Sequence, residues 1–187
     1  APVSSELDEE GKKRVMSAIW PLTCALFINI FCSVFTAAFY EYVPNAPGSN
    51  LNLPEILYFV RLGCDLLGRP VANCNIPIMN SGHAVLRVSQ WRVVLMLIFF
   101  VYVFAPGLWR SDTFVVSLMA LFSIWSGYLS ILSYRVAASM CPSKSEQAYS
   151  GALLNTAFNF SLFSAVVSSE SVAVVLALIG QNGDGDC

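Results

Sequence analysis

The sequence contains few charged residues. Lys, Arg, Asp and Glu together make up 12% of its 187 residues, whereas hydrophobic residues make up 56%. An ordinary soluble domain carries about 25% charged residues, which keep its surface hydrated. This composition therefore excludes a soluble globular domain and predicts a chain that is largely surrounded by lipid.

Motifs for catalysis and for metal binding are also lacking. The single histidine, His83, lies in a polar stretch that we interpret as a solvated loop, and the six cysteines show no CxxC or other metal-ligand spacing. Apart from Asp65, the apolar segments contain no aspartate that could complete a carboxylate dyad, and they contain no Ser-His pair, which argues against an intramembrane enzyme. No basic aromatic patch indicates nucleic acid binding. We therefore expect no metal, no bound cofactor and no nucleic acid partner.

What the sequence does contain is long uncharged stretches. Four of them, residues 15–40, 93–109, 113–134 and 147–169, approach or exceed the roughly 20 apolar residues that a membrane span requires. A fifth apolar segment, 53–73, is interrupted by charged residues. The sequence therefore predicts an all-α, polytopic membrane bundle of about five transmembrane helices over residues 15–180. The predicted spans are 16–40, 53–73, 91–109, 113–139 and 146–179.

The distribution of charge around these spans predicts their orientation. Basic residues lie before or at the start of the first, third and fifth spans, at Lys12, Lys13, Arg14, Arg87, Arg92 and Lys144, and we assign Arg87 and Arg92 to the inner loop. The opposite ends of the spans are mostly acidic, with Glu41, Asp112, Asp184 and Asp186 and the single base Arg110. Because cytoplasmic loops are enriched in Lys and Arg, we place the N-terminus in the cytosol and the C-terminus outside. Residues 1–14 are interpreted as a cytosolic tail or linker, and 181–187 as an extracellular tail.

The last predicted span carries two stripes, one of small residues and one that contains two asparagines. Small residues recur at every fourth position, at Ala157, Ser161, Ala165 and Ser169. Such a ladder allows two membrane helices to approach closely, so we assign it to helix packing. Asn155, Asn159 and Leu162 form a neighbouring stripe, which we assign to a cavity because unpaired amides are costly in hydrocarbon. Ser143 and Glu146 match a capping box and predict where the helix begins.

The second predicted span carries a charged stripe. Arg61, Asp65, Arg69 and Asn73 are spaced by four residues and therefore share one broad helical face. An intramembrane charge costs at least about 2.5 to 3.5 kcal/mol, although Asp65 can pair with either arginine. This face must therefore contact protein or water. It could be an internal salt bridge that fixes helix packing, or it could line a pathway for a polar substrate.

Four segments, in order, resemble a known family. Residues 64–69, CDLLGR, resemble the Asp-x-x-Gly-Arg motif in the eighth span of equilibrative nucleoside transporters. Residues 33–37, SVFTA, are similar to the Ser-Val-Phe-Pro-Ala segment of the family's seventh span. Residues 126–129, SGYL, are similar to Asn-Gly-Tyr-Leu of the tenth, and 147–152, QAYSGA, to the Glu-x-x-Gly-Ala opening of the eleventh. The order and orientation of these segments agree over almost the whole chain.

The resemblance implies that the chain is the C-terminal half, spans seven to eleven, of a major-facilitator-like fold. It implies facilitative transport of nucleosides or nucleobases by alternating access in a multi-pass protein, which we expect in the plasma membrane. The expected partners are the substrate, the lipid bilayer and the missing N-terminal half. Carried over by position, the substrate-binding residues are Asp65 and Arg69, which would contact the ribose, and Phe35, Tyr58 and Leu162, which would line the cavity.

The sequence departs from the family pattern at several positions. Thr36 stands where the family has proline, Ser126 where it has asparagine, and Leu62 where many members have a polar residue. The arginine that is common in the ninth span has no evident counterpart. Two alternatives remain open: a non-transporting membrane scaffold or assembly subunit whose charges only lock helix packing, and half of an unrelated permease.

Overall fold

The computed structural model describes residues 7–74, 81–105 and 110–183, with side chains described as far as residue 177. The described residues contain no strand. They form five α-helices, which are α1 (Glu9–Ala37), α2 (Leu53–Val71), α3 (Gly82–Phe104), α4 (Asp112–Met140) and α5 (Lys144–Gly183). A short 3₁₀ turn, Tyr40–Tyr42, follows α1. The predicted all-helical bundle is therefore confirmed.

Within the described part of the chain, the four helices α1, α3, α4 and α5 are long and apolar enough to cross a membrane. The protein is therefore membrane-embedded. The helix α2 does not meet this criterion, because its 19 residues include Glu55, Arg61, Asp65 and Arg69. That α2 also spans the bilayer stays a prediction, and it requires the charges of α2 to be shielded from lipid.

Two helices begin earlier than the predicted spans. Asp8 caps α1 by accepting a hydrogen bond from the Gly11 N–H, so the segment predicted as a tail is helical from residue 9. Ser81 caps α3 in the same way, and α3 begins nine residues before the predicted span 91–109. His83 therefore lies on the exposed first turn of α3 and not in a loop. The predicted end of the third span and the tail after residue 183 lie outside the described residues.

The capping box at the start of α5 is confirmed. The Glu146 N–H donates to Ser143 Oγ at 3.1 Å, and the Ser143 N–H donates to Glu146 Oε2 at 3.2 Å. Arg14 of α1 also donates to the Glu146 carboxylate and forms an ion pair with it. The starts of α1 and α5 therefore lie on the same side of the bundle, as the predicted orientation requires. Asn52 directly precedes α2, but its side chain bonds Glu55 and does not cap the helix.

The helix α1 is central, because it packs against α3, α4 and α5, whereas α2 packs mainly against α4. Buried apolar side chains form two clusters at opposite ends of α1. One cluster includes Val15, Ile19, Leu22, Leu129, Leu132 and Val136. The other includes Phe39, Leu53, Leu57, Phe99, Met119 and Phe122. A layer of buried polar side chains lies between the two clusters, and we call it the polar layer; its members are Asn29, Ser33, Arg92, Ser123 and Ser126.

The packing stripe predicted on α5 is confirmed. Ser161, Ala165 and Ser169 are buried, and Ala157 is half-buried. Ser161 Oγ donates a hydrogen bond of 2.7 Å to the backbone carbonyl of Phe27 in α1. Side chains this small allow the backbones of α1 and α5 to approach each other.

The contact between α2 and α4 depends on two glycines. A methyl group at Gly68 would overlap the Ile124 carbonyl oxygen and would lie 2.9 Å from the carbonyl carbon of that residue. A methyl group at Gly127 would overlap the Asp65 carbonyl oxygen in the same way, and would lie 2.9 Å from its carbonyl carbon. Each glycine therefore accommodates the backbone of the opposite helix. This contact explains why a glycine stands between Asp65 and Arg69.

Gly68→Ala and Gly127→Ala are each expected to destabilise the protein by about 1 to 3 kcal/mol, because the added methyl groups must push two backbones apart. The measurement is thermal unfolding of detergent-solubilised protein, together with the yield of folded protein. The matched control is Gly63→Ala on α2, where a methyl group would meet nothing within 4 Å. An unfolding temperature for Gly68→Ala equal to that of Gly63→Ala would contradict the proposed contact.

Candidate functional site

A cavity of about 430 Å³ lies between α1, α2, α4 and α5. Its volume falls in the range of about 300 to 1,000 Å³ that is typical of small-molecule sites. The polar part of its wall consists of Ser33, Arg61, Asp65, Arg69, Ser126, Ser130 and Tyr134. The apolar part consists of Ile30, Val34, Leu62, Ile131, Phe158 and Leu162. The cavity can therefore accept a ligand that has both hydrogen-bonding groups and apolar faces.

Asp65 and Arg69 form the ion pair that the four-residue spacing predicted. Arg69 Nη2 and Nε donate to the same carboxylate oxygen, Asp65 Oδ2, at 2.8 and 3.1 Å. The Asp65 side chain is 24% exposed and the Arg69 side chain is 53% exposed. No described residue donates to Asp65 Oδ1. A hydrogen-bond acceptor is therefore left open at the cavity, where the other polar side chains are arginines and hydroxyls.

Arg61 contributes a further positive charge to the cavity wall. No residue in the described ranges forms a hydrogen bond or ion pair with it. Two arginines and one aspartate give α2 a net charge of +1 at the cavity. An unpaired charge costs at least about 2.5 to 3.5 kcal/mol in lipid, so another protein segment, water or a ligand must cover this side of the cavity.

Three of the five residues that the resemblance implied come together in the cavity: Asp65, Arg69 and Leu162. Phe35 does not line it. Its ring instead stacks with Phe31 at 5.4 Å and packs against Phe100 of α3 at 5.5 Å, in an aromatic cluster. Tyr58 is 49% exposed on α2 and contacts the ring of Phe59.

The second stripe predicted on α5 is only partly correct. Leu162 lines the cavity, together with Phe158, one turn before it. Asn155 and Asn159 are exposed and do not belong to the cavity wall. The reason is that no described helix packs against that side of α5, so these amides do not face an enclosed space.

Arg92 was predicted in a cytosolic loop, and that prediction is wrong. Arg92 lies on α3 and is 1% exposed, within the polar layer. Its Nη1 donates to the Asn29 carbonyl at 2.7 Å and also to Asn29 Oδ1, and its Nη2 donates to the Phe122 carbonyl at 3.3 Å. The guanidinium also lies 4.1 Å from the centre of the Phe122 ring, a cation–π contact. The uncharged stretch 93–109 begins directly after Arg92, so a reading from charge alone assigns this residue to the loop.

Asn29 connects Arg92 to the cavity. Its Nδ2 donates to the Ser126 carbonyl at 3.1 Å and to Ser130 Oγ at 2.9 Å. Ser126 Oγ in turn bonds Ser33 Oγ at 3.4 Å. Because Ser33, Ser126 and Ser130 all line the cavity, a continuous set of hydrogen bonds joins a buried arginine to the cavity wall.

The cavity offers little to a metal ion. Its only carboxylate, Asp65, is already paired with Arg69, and the described residues contain no group of three or more His, Cys, Asp or Glu side chains that could hold a metal. The arrangement instead suits a ligand that is held by hydrogen bonds.

No protein-family model, curated protein or solved structure matches this chain. The cavity geometry and the sequence resemblance are therefore the two observations that bear on function.

Arg92→Met is expected to lower the stability of the folded protein by about 1 to 3 kcal/mol for each buried acceptor that is left without a donor. Arg92→Lys should be intermediate, because a lysine is a point donor that cannot reach all three carbonyl and amide oxygens. The check is thermal unfolding in detergent, with the exposed Arg87→Met on the same helix as the control. Equal unfolding temperatures for Arg92→Met and Arg87→Met would contradict this assignment.

Proposed function

We propose that the chain is part of a facilitative transporter that moves nucleosides or nucleobases across a membrane by alternating access. The observation that carries the proposal is a cavity inside an apolar helical bundle, lined by the Asp65–Arg69 pair of the CDLLGR segment. Intramembrane ionisable residues are expensive and commonly mark a pathway for a polar substrate.

The chemistry of the wall fits such a substrate. A ribose presents adjacent hydroxyls, each of which both donates and accepts hydrogen bonds. Asp65 Oδ1 provides an acceptor for them, and Arg61 and Arg69 provide donors. The flat faces of a base match the apolar side of the cavity, where Phe158 and Leu162 lie. Hydrogen bonding and apolar contact are sufficient for this binding, so the proposal includes no chemical reaction and no cofactor.

The open side of the cavity supports the involvement of a second helical bundle. Arg61 has no partner among the residues that the structure describes, and the charged face of α2 cannot contact lipid without a large cost. In transporters built from two repeats, the substrate site lies between the repeats near the bilayer midplane, and the repeats move against each other. A further half of the same protein would cover this face, complete the binding site and allow alternating access.

The proposed orientation in the membrane does not depend on Arg92, which lies inside the bundle. Lys12, Lys13, Arg14, Arg87 and Lys144 remain on the side that is assigned to the cytosol. Arg92 also supplies a candidate for the arginine that the resemblance expects in the ninth span, because α3 corresponds to that span. A plasma membrane location is part of the proposal and rests on the resemblance alone.

The second candidate function is a membrane scaffold whose charges only lock helix packing. Exchanging Asp65 and Arg69 distinguishes a scaffold from a transporter. In the full-length protein that contains this chain, Asp65→Ala and Arg69→Ala should each reduce uptake of radiolabelled uridine and adenosine to background, because either change leaves an unpaired charge. The exchanged pair, Asp65→Arg with Arg69→Asp, restores the ion pair but reverses the charges that meet the substrate. We expect this double variant to reach the membrane and to remain inactive.

The control for this experiment is Glu55→Ala, which changes an exposed carboxylate in the first turn of α2 and should leave uptake intact. Normal uptake by both single variants would refute the site. A double variant that restores activity in full would favour a purely structural ion pair.

The 187 residues alone should not transport nucleosides, because the cavity is open on the side of Arg61 and α2. The measurement is uridine flux into liposomes that contain only this chain, compared with liposomes that contain the full-length protein. Saturable flux through the isolated chain would show that a second copy of this chain covers the cavity. It would contradict the proposal that a different half of the full-length protein is required.

A further inference from the structure

We propose that Arg92 and Asn29 together set the hydrogen-bonding polarity of the cavity wall, so that Ser130 presents an acceptor to the substrate. Arg92 is then a positioning residue that acts through Asn29 and does not touch the ligand. The inference rests on the proposed function for its substrate, but its structural part can be tested without one.

The first step is the orientation of the Asn29 amide. A guanidinium has only hydrogen-bond donors, so the side chain that faces Arg92 must turn its oxygen toward it. Asn29 Oδ1 accepts from Arg92 accordingly. The amide nitrogen is therefore forced to the opposite side, where its two hydrogens meet the Ser126 carbonyl and Ser130 Oγ. Arg92 thus fixes which way the amide of Asn29 points, whereas an asparagine without such a neighbour could adopt either of two orientations.

The second step is the orientation of the Ser130 hydroxyl. A serine hydroxyl has one hydrogen to donate and two lone pairs that accept. Ser130 Oγ donates its hydrogen to the Ser126 carbonyl at 2.9 Å, and one of its lone pairs accepts from Asn29. Only the second lone pair remains for the cavity. Ser130 therefore accepts from a substrate hydroxyl or N–H and cannot donate to it.

The third step concerns why residue 92 is an arginine, since filling the space between the helices does not by itself require one. Arg92 is fully buried beside neutral acceptors, without a carboxylate partner, and its Nε has no hydrogen-bond partner within the described ranges. An apolar residue of similar volume could fill the same space, although it would leave the Asn29 and Phe122 oxygens without this donor. What an apolar residue cannot supply is a fixed orientation of Asn29.

The variant that separates positioning from stability is Asn29→Asp. A carboxylate at this position keeps an acceptor for Arg92, now as an ion pair, and keeps the shape of the side chain. It has no hydrogen to give to the Ser126 carbonyl or to Ser130. We therefore expect the yield and unfolding temperature of this variant to equal or exceed those of the wild type, while its affinity for substrate falls.

The experiment uses the full-length protein, in nanodiscs for binding of radiolabelled uridine and in liposomes for its uptake. Asn29→Asp should raise KM by about tenfold, the usual scale for losing one well-placed hydrogen bond, with the maximal rate per folded molecule unchanged. Ser130→Ala should raise KM similarly, and the double variant should be no worse than either single variant, because Asn29 acts on the substrate only through Ser130. Ser123→Ala is the control, since Ser123 is a buried serine of the same layer and lacks a hydrogen-bond partner among the described residues.

A second readout needs no ligand. Hydrogen exchange of the α4 segment 126–133 should be faster in Asn29→Asp than in the wild type and unchanged in Ser123→Ala. If Asn29→Asp fails to fold, Arg92→Met serves for the same comparison, because it removes the donor that orients Asn29. If exchange is faster in Asn29→Asp and the wild-type protein binds no uridine, the structural inference is supported and the proposed substrate is rejected. Unchanged exchange together with unchanged KM would overturn the inference, and so would additive effects of Asn29→Asp and Ser130→Ala.

Discussion

The contact between the backbones of α2 and α4 is the constraint on which the site depends. Gly68 and Gly127 each accommodate a carbonyl group of the opposite helix, so the rotation of α2 about its own axis has little freedom. That rotation decides which face of α2 meets the cavity. With Gly68 turned toward α4, Asp65 and Arg69 lie at the edge of the contact and reach the cavity from there. A rotation by half a turn would place the same charges in lipid, at a cost that would exceed the energy of the local ion pair.

The bundle accommodates charge in two different ways. On α2, Asp65 and Arg69 compensate each other within one helix, and the pair remains partly exposed to the cavity. On α3, Arg92 has no acidic partner within hydrogen-bonding reach in the described part of the chain. Instead, it uses carbonyl and amide oxygens of α1 and α4 and the face of an aromatic ring. The first arrangement leaves groups available to a ligand, whereas the second satisfies a charge in the interior and links three helices.

These two arrangements also explain which features the sequence could predict. The Asp65–Arg69 pair depends on spacing within one helix, so it is visible in the sequence, as are the capping box at Ser143 and the small stripe of α5. The environment of Arg92 depends on residues 63 and 30 positions away, which come together only when the helices pack. No local pattern indicates this environment. Phe35 and Asn155 lie outside the cavity wall for a related reason, because helical periodicity defines a stripe but not the helix that the stripe contacts.

The cavity and the polar layer are parts of one feature, because Ser33 and Ser126 belong to both. Apolar clusters lie on either side of the layer along α1, so the layer places hydrogen-bonding groups beside the cavity at the middle of α1. The helices α2 and α4 supply Asp65, Arg69 and Ser130, whereas α1 and α5 supply Ser33 and Leu162. Any change in the separation of α1 and α4 must therefore alter the width of the cavity and stretch the bonds from Asn29 to α4. The cavity and the interhelical hydrogen bonds are coupled by geometry, since the same asparagine, held by Arg92, lies at the point where the two helices meet.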